Sequence, residues 1–242
     1  MQTKNKKSLA ILVPMFNEEK VAALCIDTIM EVLKNINCEV KLFVVNDGSF
    51  DNTETILKEK NKTYKKNLII ISHKKNKGYG AALQTGITAA QKSGYTWILH
   101  MDSDLTNDPK YIHEFVHYMD SSYDCIKASR YMKGGKVEQV SFFRKIISII
   151  GNYVASLLFH VGIKDCTNGF RMVRLSLLQD VKFRENNFSI IFEELLYLKK
   201  QGAKFTEIPY TLTARKNSQS HFSYKPKVFF SYLKYAVRGF FS

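Results

Sequence analysis

Residues 97–105 read Trp97-Ile98-Leu99-His100-Met101-Asp102-Ser103-Asp104-Leu105, an apolar run that stops at two carboxylates one residue apart. A short apolar run closed by polar residues reads as a buried strand, here spanning residues 95–101. A strand that ends this way delivers both acids to one edge of a sheet. Two carboxylates so placed can share a hard divalent cation, with substrate phosphates completing its shell.

Upstream, the same unit recurs. Residues 9–13 form an apolar run that halts at Pro14, ahead of PMFNEE (14–19). Residues 40–45 form a second, stopped by NDGS (46–49), and residues 68–71 a third. Between them, residues 20–33, 52–60 and 80–92 carry helical periodicity. Four alternations of strand and helix predict an α/β domain with a largely parallel sheet. Ligands of such sheets bind beyond the carboxyl ends of the strands, where the polar clusters after strands one, two and four lie. After about residue 110 the alternation fades into helices and short strands.

The individual clusters differ in chemistry. In NDGSFDNT (46–53), Gly48 permits a positive φ, and Ser49, Asp51 and Thr53 suit helix capping. Asp47 is left over by capping, and its carboxylate suits a nucleobase edge. NKGYGAA (76–82) resembles a phosphate loop at a helix N-terminus. It is a poor dinucleotide fingerprint, because Leu83 stands where a third small residue belongs, and it follows the third strand. DCTNGFR (165–171) is a polar turn. Arg130, Arg144 and Arg215 sit in separate polar contexts and suit bidentate phosphate recognition.

Composition narrows the classes. Of 242 residues, 45% are hydrophobic, with 17 Phe and 13 Tyr, which demands a large core and excludes general disorder. Cys25, Cys38, Cys125 and Cys166 form no CxxC pair and no zinc spacing, so buried thiols of a reducing compartment are expected. The formal charge, 36 − 22 = +14, points to an anionic partner. Nucleic acid is disfavoured, since no RNP-type strand, zinc site or helix-turn-helix signal is present. Residues 9–16 are too short and too soon acidic for a signal peptide. Residues 146–163 are uncharged, but Ser148, Asn152, Ser156 and His160 recur every fourth position. A lone spanning helix would expose that stripe to lipid, so a buried or interfacial helix is expected.

Together, VPMFNEE (13–19), VNDGSFDNT (45–53), NKGYGAAL (76–83), MDSDL (101–105), SRYMKGG (129–135), DCTNGFR (165–171), EIPY (207–210) and RKNSQSHF (215–222) resemble an inverting family 2 glycosyltransferase of the GT-A fold. The similarity is to the polyprenyl-phosphate branch that includes dolichyl-phosphate mannose synthases. The resemblance implies a catalytic domain over residues 1–222. It implies that Pro14, Phe16, Glu18, Asp47, Lys77 and Ser103 line a pocket for a GDP- or UDP-sugar. Asp102 and Asp104 would hold Mg²⁺ or Mn²⁺ on the donor diphosphate. Arg130, Arg144, Asp165 and Ser220 would bind the acceptor, a polyprenyl (dolichyl or undecaprenyl) phosphate, and Arg215 the leaving diphosphate. Three positions depart from the family pattern: Thr106 replaces a frequent Gln, Asn46 an Asp and Ser218 a Gly. A saccharide or protein hydroxyl acceptor is the alternative, with Asp165, Glu193 or Glu194 as the base it would require.

A lipid acceptor requires membrane contact. Residues 223–242 are expected to form a basic amphipathic helix, with Phe229, Phe230, Leu233, Val237, Phe240 and Phe241 on one face and Lys227, Lys234 and Arg238 on the other. The chain is expected to act peripherally, on the cytosolic face of an anionic membrane.

Overall fold

A computed structural model of the chain describes residues 7–138, 142–213, 234, 235, 237 and 238. The elements in chain order are β1 (Ser8–Met15), α1 (Ala22–Leu33), β2 (Glu39–Asn46), α2 (Thr53–Thr63), β3 (Leu68–Ser72), α3 (Tyr79–Lys92) and β4 (Trp97–His100). They continue with α4 (Ile112–His117), β5 (Cys125–Ser129), β6 (Lys136–Val137), α5 (Phe142–Phe159), β7 (Arg171–Arg174), α6 (Ile190–Lys200), β8 (Phe205–Pro209) and β9 (Thr211–Leu212).

Seven strands form one sheet in the order β3-β2-β1-β4-β7-β5-β8, and β6 pairs with β9 apart from it. The sheet is parallel except for β7, which runs antiparallel to both neighbours. The expected α/β architecture is therefore present. One face is buried under α1, α2 and α4 through Ile26, Ile29, Leu57 and Phe115. The other is covered by α3 and α6 through Leu83, Ile87, Ile190 and Leu198. A third cluster joins α5 to α6 through Phe159, Phe192 and Leu195.

Two expectations change. The first strand does not halt at Pro14 but runs on to Met15, paired with Asn46. Pro14 is tolerated because pairing with β4 has already ended at Leu12↔His100, so its missing N–H falls where that neighbour has gone. The second half of the sheet comes from β5, β7 and β8, where periodicity showed only short strands. Lys127 in β5 and Arg171 in β7 interrupt their apolar runs, yet both are buried, at 1% and 2% exposure.

Chain order reverses at β1, which has β2 and β3 on one side and β4 on the other. The crevice beyond the carboxyl ends of β1 and β4 is the expected ligand position in such a sheet.

Candidate active site

A cavity of about 380 Å³ opens at that crevice. Its walls carry Pro14, Phe16, Glu18, Asp47, Asp102, Ser103 and Asp104, which the sequence nominated from three separate loops. Met15, Asn76, Gly78, Tyr79, Ala82, Asn186, Asn187 and Phe188 complete it.

The loop after β1 and the turn after β2 are stitched into one body. The backbone N–H groups of Asn17, Glu18 and Glu19 donate to Ser49 Oγ, Thr53 Oγ1 and Asp51 Oδ2 at 2.9, 2.8 and 3.1 Å. In return, the N–H groups of Phe50 and Asn52 donate to Asn17 Oδ1 and Glu19 Oε2, each at 3.0 Å. The capping expected of Ser49, Asp51 and Thr53 gives way to this stitching: the cap position of α2 is Asn52, with no side-chain cap, and Asp51 Oδ1 accepts locally from Thr53 N at 3.0 Å.

Asp47 does the same for the glycine loop. It is 3% exposed and accepts from the backbone N–H groups of Lys77 and Gly78 at 2.9 and 2.7 Å. Its Oδ1 also lies 2.6 Å from His73 Nδ1. Lys77 thus meets the site through its backbone, and its side chain is exposed. Gly78, at φ 98°, opens α3. A β-carbon on Gly78 would come within 2.2 Å of the Asn186 carbonyl oxygen, and one on Gly80 within 2.2 Å of that of Glu185. Gly80 N donates to the Asn186 carbonyl at 2.9 Å. These glycines therefore let a distant segment, residues 184–188, lie directly on the loop.

At the end of β4, Asp104 Oδ1 accepts from Thr106 N at 3.0 Å and Thr106 Oγ1 at 2.7 Å. Thr106, the departure from the family pattern, thus orients this carboxylate. Asp102 Oδ1 accepts from the Tyr79 hydroxyl at 3.4 Å, and Ser103 Oγ donates to Glu18 Oε1 at 3.0 Å. Among the described residues, no group of three or more His, Cys, Asp or Glu side chains converges as a metal cage. Asp102 and Asp104 form a two-carboxylate, all-oxygen donor set. That set fits a cation such as Mg²⁺, which usually keeps waters and substrate phosphates as its other ligands.

The DCTNGFR turn passes close behind Tyr79 and Asp102 at Gly169. A β-carbon on Gly169 would lie 3.2 Å from the Tyr79 hydroxyl and 3.8 Å from both Asp102 oxygens. The buried cations beneath it explain themselves here. Lys127 Nζ donates to the carbonyls of Cys166 and Asn168 at 3.3 and 2.8 Å, and Arg171 Nη1 to that of Gly169 at 2.8 Å. Burial, reinforced by Arg171, pulls the Lys127 ammonium below its ordinary range. Arg171 also forms a two-bond pair with Glu194, at 2.6 and 2.9 Å. Burial would raise the Glu194 carboxyl, but its neighbours, Arg171 first among them, together outweigh it and hold the group below the usual carboxylate range. His100 beside them is pushed down to about 3 by burial and by Arg171, so it is neutral.

Arg130 and Asp165 are brought together as a pair. Arg130 Nε and Nη2 donate to the two Asp165 oxygens at 2.7 and 2.8 Å, and Arg130 N donates to Oδ2 at 3.0 Å. Asp165 is fully buried. Nη2 also reaches Thr167 Oγ1 at 2.8 Å, and Thr167 exchanges two hydrogen bonds with Asn152 of α5, at 2.9 and 3.0 Å. Glu193 accepts from Arg184 N and Glu185 N, at 3.0 and 2.9 Å. Arg144 falls in the first turn of α5, with its side chain outside the described part; Arg215, Ser218 and Ser220 lie outside the described residues.

Residues 184–188 escaped the sequence. RENNF carries no catalytic signature, and its partners, Gly78 and Gly80, lie more than a hundred positions upstream. The paired glycines were the available signal, since they advertise a close backbone approach without naming the visitor.

The sequence matches the family model for glycosyl transferase family 2 over residues 10–182. A dolichol-phosphate mannosyltransferase of Pyrococcus furiosus is 30% identical over 234 residues, 95% of this chain and 63% of that protein. The chain thus spans just under two thirds of that relative's length. An uncharacterized protein of Methanocaldococcus jannaschii is 31% identical over 201 residues, covering 81% of this chain and 84% of its own. Among solved structures, glucosyl-3-phosphoglycerate synthase of Mycobacterium tuberculosis, in complex with Mn²⁺, uridine diphosphate and glucosyl-3-phosphoglycerate, superposes with a TM-score of 0.66 at 18% identity. The match covers 88% of this chain and 73% of that one and establishes likeness of fold. With the sheet order, the cavity at the β1–β4 crevice and the family match in agreement, the chain belongs to glycosyl transferase family 2 and has its GT-A fold.

Proposed function

We propose that the chain is an inverting glycosyltransferase that moves a sugar from a UDP- or GDP-sugar onto a polyprenyl phosphate at the cytosolic face of a membrane. The observation that carries the acceptor class is the state of the three carboxylates that could serve as a base. Asp165 is buried in its pair with Arg130. Glu194 is buried against Arg171, and Glu193 is taken up by backbone N–H groups of residues 184 and 185. A hydroxyl acceptor needs a base to take its proton. A phosphate is already ionised at neutral pH and does not.

The chemistry is then a displacement. An acceptor phosphate oxygen forms a bond to the anomeric carbon as the bond from that carbon to the diphosphate oxygen breaks. The electron pair leaves with the nucleoside diphosphate, and the anomeric configuration inverts. The protein's task is to bring anions together and position them. Asp47 holds the glycine loop, the stitched loops after β1 and β2 shape the nucleotide end, and Thr106 aims Asp104. Asp102 and Asp104 would hold Mg²⁺ or Mn²⁺, which when bound supplies charge neutralisation for the diphosphate. Arg130, seated against the turn, would face the acceptor phosphate together with Arg144; Arg215 and Ser220 are proposed to join from the following loop.

Helix α5 supports a lipid partner. The middle of its polar stripe faces inward, where Asn152 is 1% exposed and Ser148 Oγ accepts from the Tyr131 hydroxyl at 2.6 Å, while His160 at the end of the stripe is exposed. Its outer side carries Phe143, Ile147, Ile150, Val154 and Leu157, spaced four, three, four and three apart and all exposed. Apolar side chains in such a stripe suit insertion at the headgroup boundary. Among the described residues, no helix is long and apolar enough to cross a membrane.

The test is transfer of radiolabel from UDP- and GDP-sugars into an organic phase containing polyprenyl phosphate, with Mn²⁺ present. Label should enter with polyprenyl phosphate and not with the free polyprenol. Asp104→Ala should abolish transfer; full activity in that variant, or preference for a soluble saccharide, overturns the proposal.

A further inference from the structure

Resting on that reading, we infer that His73 is a positioning residue for the donor: it sets the Asp47 carboxylate, and through it the glycine loop, in the arrangement that receives the nucleoside diphosphate. Nothing in the chemistry proposed above uses His73, yet its side chain is 6% exposed and both ring nitrogens are engaged. Strands β2 and β3 pair as far as Asn46 and Ser72, so Asp47 and His73 are the next residues on each, side by side at the carboxyl edge. Two backbone bonds fix them there: Asp47 N donates to the Met15 carbonyl at 2.8 Å, and His73 N to that of Asn46 at 2.9 Å. The side chains then meet, with His73 Nδ1 2.6 Å from Asp47 Oδ1. Asp47 Oδ1 also accepts from Lys77 N, and Oδ2 from Gly78 N, so both oxygens act as acceptors and the hydrogen lies on Nδ1. Nε2 lies 2.9 Å from Thr85 Oγ1 in α3, a hydroxyl that can donate to a neutral ring or accept from a protonated one. In either state the ring bridges the Asp47 carboxylate to α3.

These contacts over-determine one carboxylate. A carboxylate has about four acceptor positions, and His73, Lys77 and Gly78 take three of them, which leaves one on Oδ2 for a ligand of the cavity that Asp47 lines. Without His73, the Asp47 carboxylate would be held by the glycine loop alone. His73 is tied to the sheet at Asn46 and to α3 at Thr85, so it supplies a reference outside that loop. The fit is close. A β-carbon on Gly48 would come within 2.3 Å of the Lys75 carbonyl carbon and 2.5 Å of Asn76 N, so the loop after His73 lies directly on the turn after β2. A site that must place a diphosphate gains when each lining side chain is locked by a second one behind it.

The test uses the full chain with Mn²⁺ and reads affinity for free UDP and GDP, kcat and KM for the donor that wild type accepts, and Tm. Three variants separate the two ring contacts. His73→Leu removes both. His73→Asn places an amide N–H where Nδ1 stands and does not reach Thr85, whereas His73→Gln carries its amide to the place of Nε2 and gives up Asp47. Nucleoside diphosphate affinity should fall about tenfold or more in the Leu and Gln variants, with donor KM rising in step and kcat within about threefold of wild type. His73→Asn should keep affinity within about threefold of wild type, even where its Tm drops as far as that of His73→Gln. Wild-type affinity in His73→Leu overturns the inference, as does equal affinity in the Asn and Gln variants, or a loss that follows Tm across the set. Where His73→Leu does not fold, the difference between Asn and Gln decides by itself. Wild-type protein that binds UDP or GDP but transfers no sugar overturns the transferase reading and leaves this inference standing on binding; wild-type protein that binds neither overturns both.

Discussion

Arg171 and Glu194 show why single charged residues survive in this core. Arg171 holds the Gly169 carbonyl beside Asp102, and Glu194 balances the charge that this requires. Removing one partner of a buried pair leaves the other uncompensated, which costs about 3–5 kcal/mol. At roughly 2–4 °C per kcal/mol for a chain of this size, Glu194→Gln should lower Tm by roughly 6–20 °C. The pH dependence has a definite sign. The folded-state pKa of Glu194 lies below its ordinary 4.5, so its stabilisation is complete above about that pH and is lost as pH falls through the lowered value. The Tm gap between wild type and variant should therefore be widest above about pH 5 and shrink under acid; a gap independent of pH contradicts this account. The thiols are simpler. Burial pushes Cys125 and Cys166 up to about 12 and Cys25 higher still, whereas Cys38 is partly exposed. A thiol reagent at pH 8 should label Cys38 first and the other three only after denaturation.

At the scale of elements, two helices use glycine in opposite ways. In α3, Gly80 sits where a β-carbon would collide with backbone oxygen at 2.2 Å. Overfilling of this kind costs about 1–3 kcal/mol and must push residues 184–188 off the loop. Gly80→Ala should therefore lower Tm and raise the donor KM together. In α5, Gly151 has nothing within 4 Å, and no contact requires it. Gly151→Ala should stabilise by about 0.5–1 kcal/mol, seen as a rise in Tm of a few degrees. A fall in Tm for Gly151→Ala would mean that α5 is held by contacts other than those described.

Across the whole molecule, a small part of the +14 charge, Lys234 and Arg238, lies on the segment packed beside α5. Tyr235, 3% exposed, is seated among Ala155, Phe159, Phe192 and Leu195, which places the end of the chain beside α5. Lys234, Val237 and Arg238 remain exposed there. The rest of residues 223–242 lies outside the described residues. Replacing Ile147 and Ile150 together by Glu should abolish flotation with anionic liposomes while leaving Tm within about 2 °C, because both side chains already face solvent. Flotation equal to wild type would remove α5 from the membrane account.

Half the sheet and three of the site's loops were legible as sequence, because a buried parallel strand is a local signal: an apolar run that stops where its polar terminus begins. The paired acids after β4, and the order of the motifs, were equally local, and they sufficed to identify the family. What the loops do to one another was not local. Asp47 reads as a free carboxylate until Lys77 and Gly78 bring it their N–H groups, and Asp165 as a candidate base until Arg130 closes on it. The spacing of Ser148, Asn152, Ser156 and His160 marked one polar stripe in α5 but did not say what that stripe would meet. Asn152 decided that by exchanging hydrogen bonds with Thr167, so its side of the helix turned to the protein while Phe143, Ile147 and Ile150 stayed outside. Spacing reports which residues share a face; only the packed chain reports what that face meets, because a buried polar group must find its partner wherever in the sequence that partner lies.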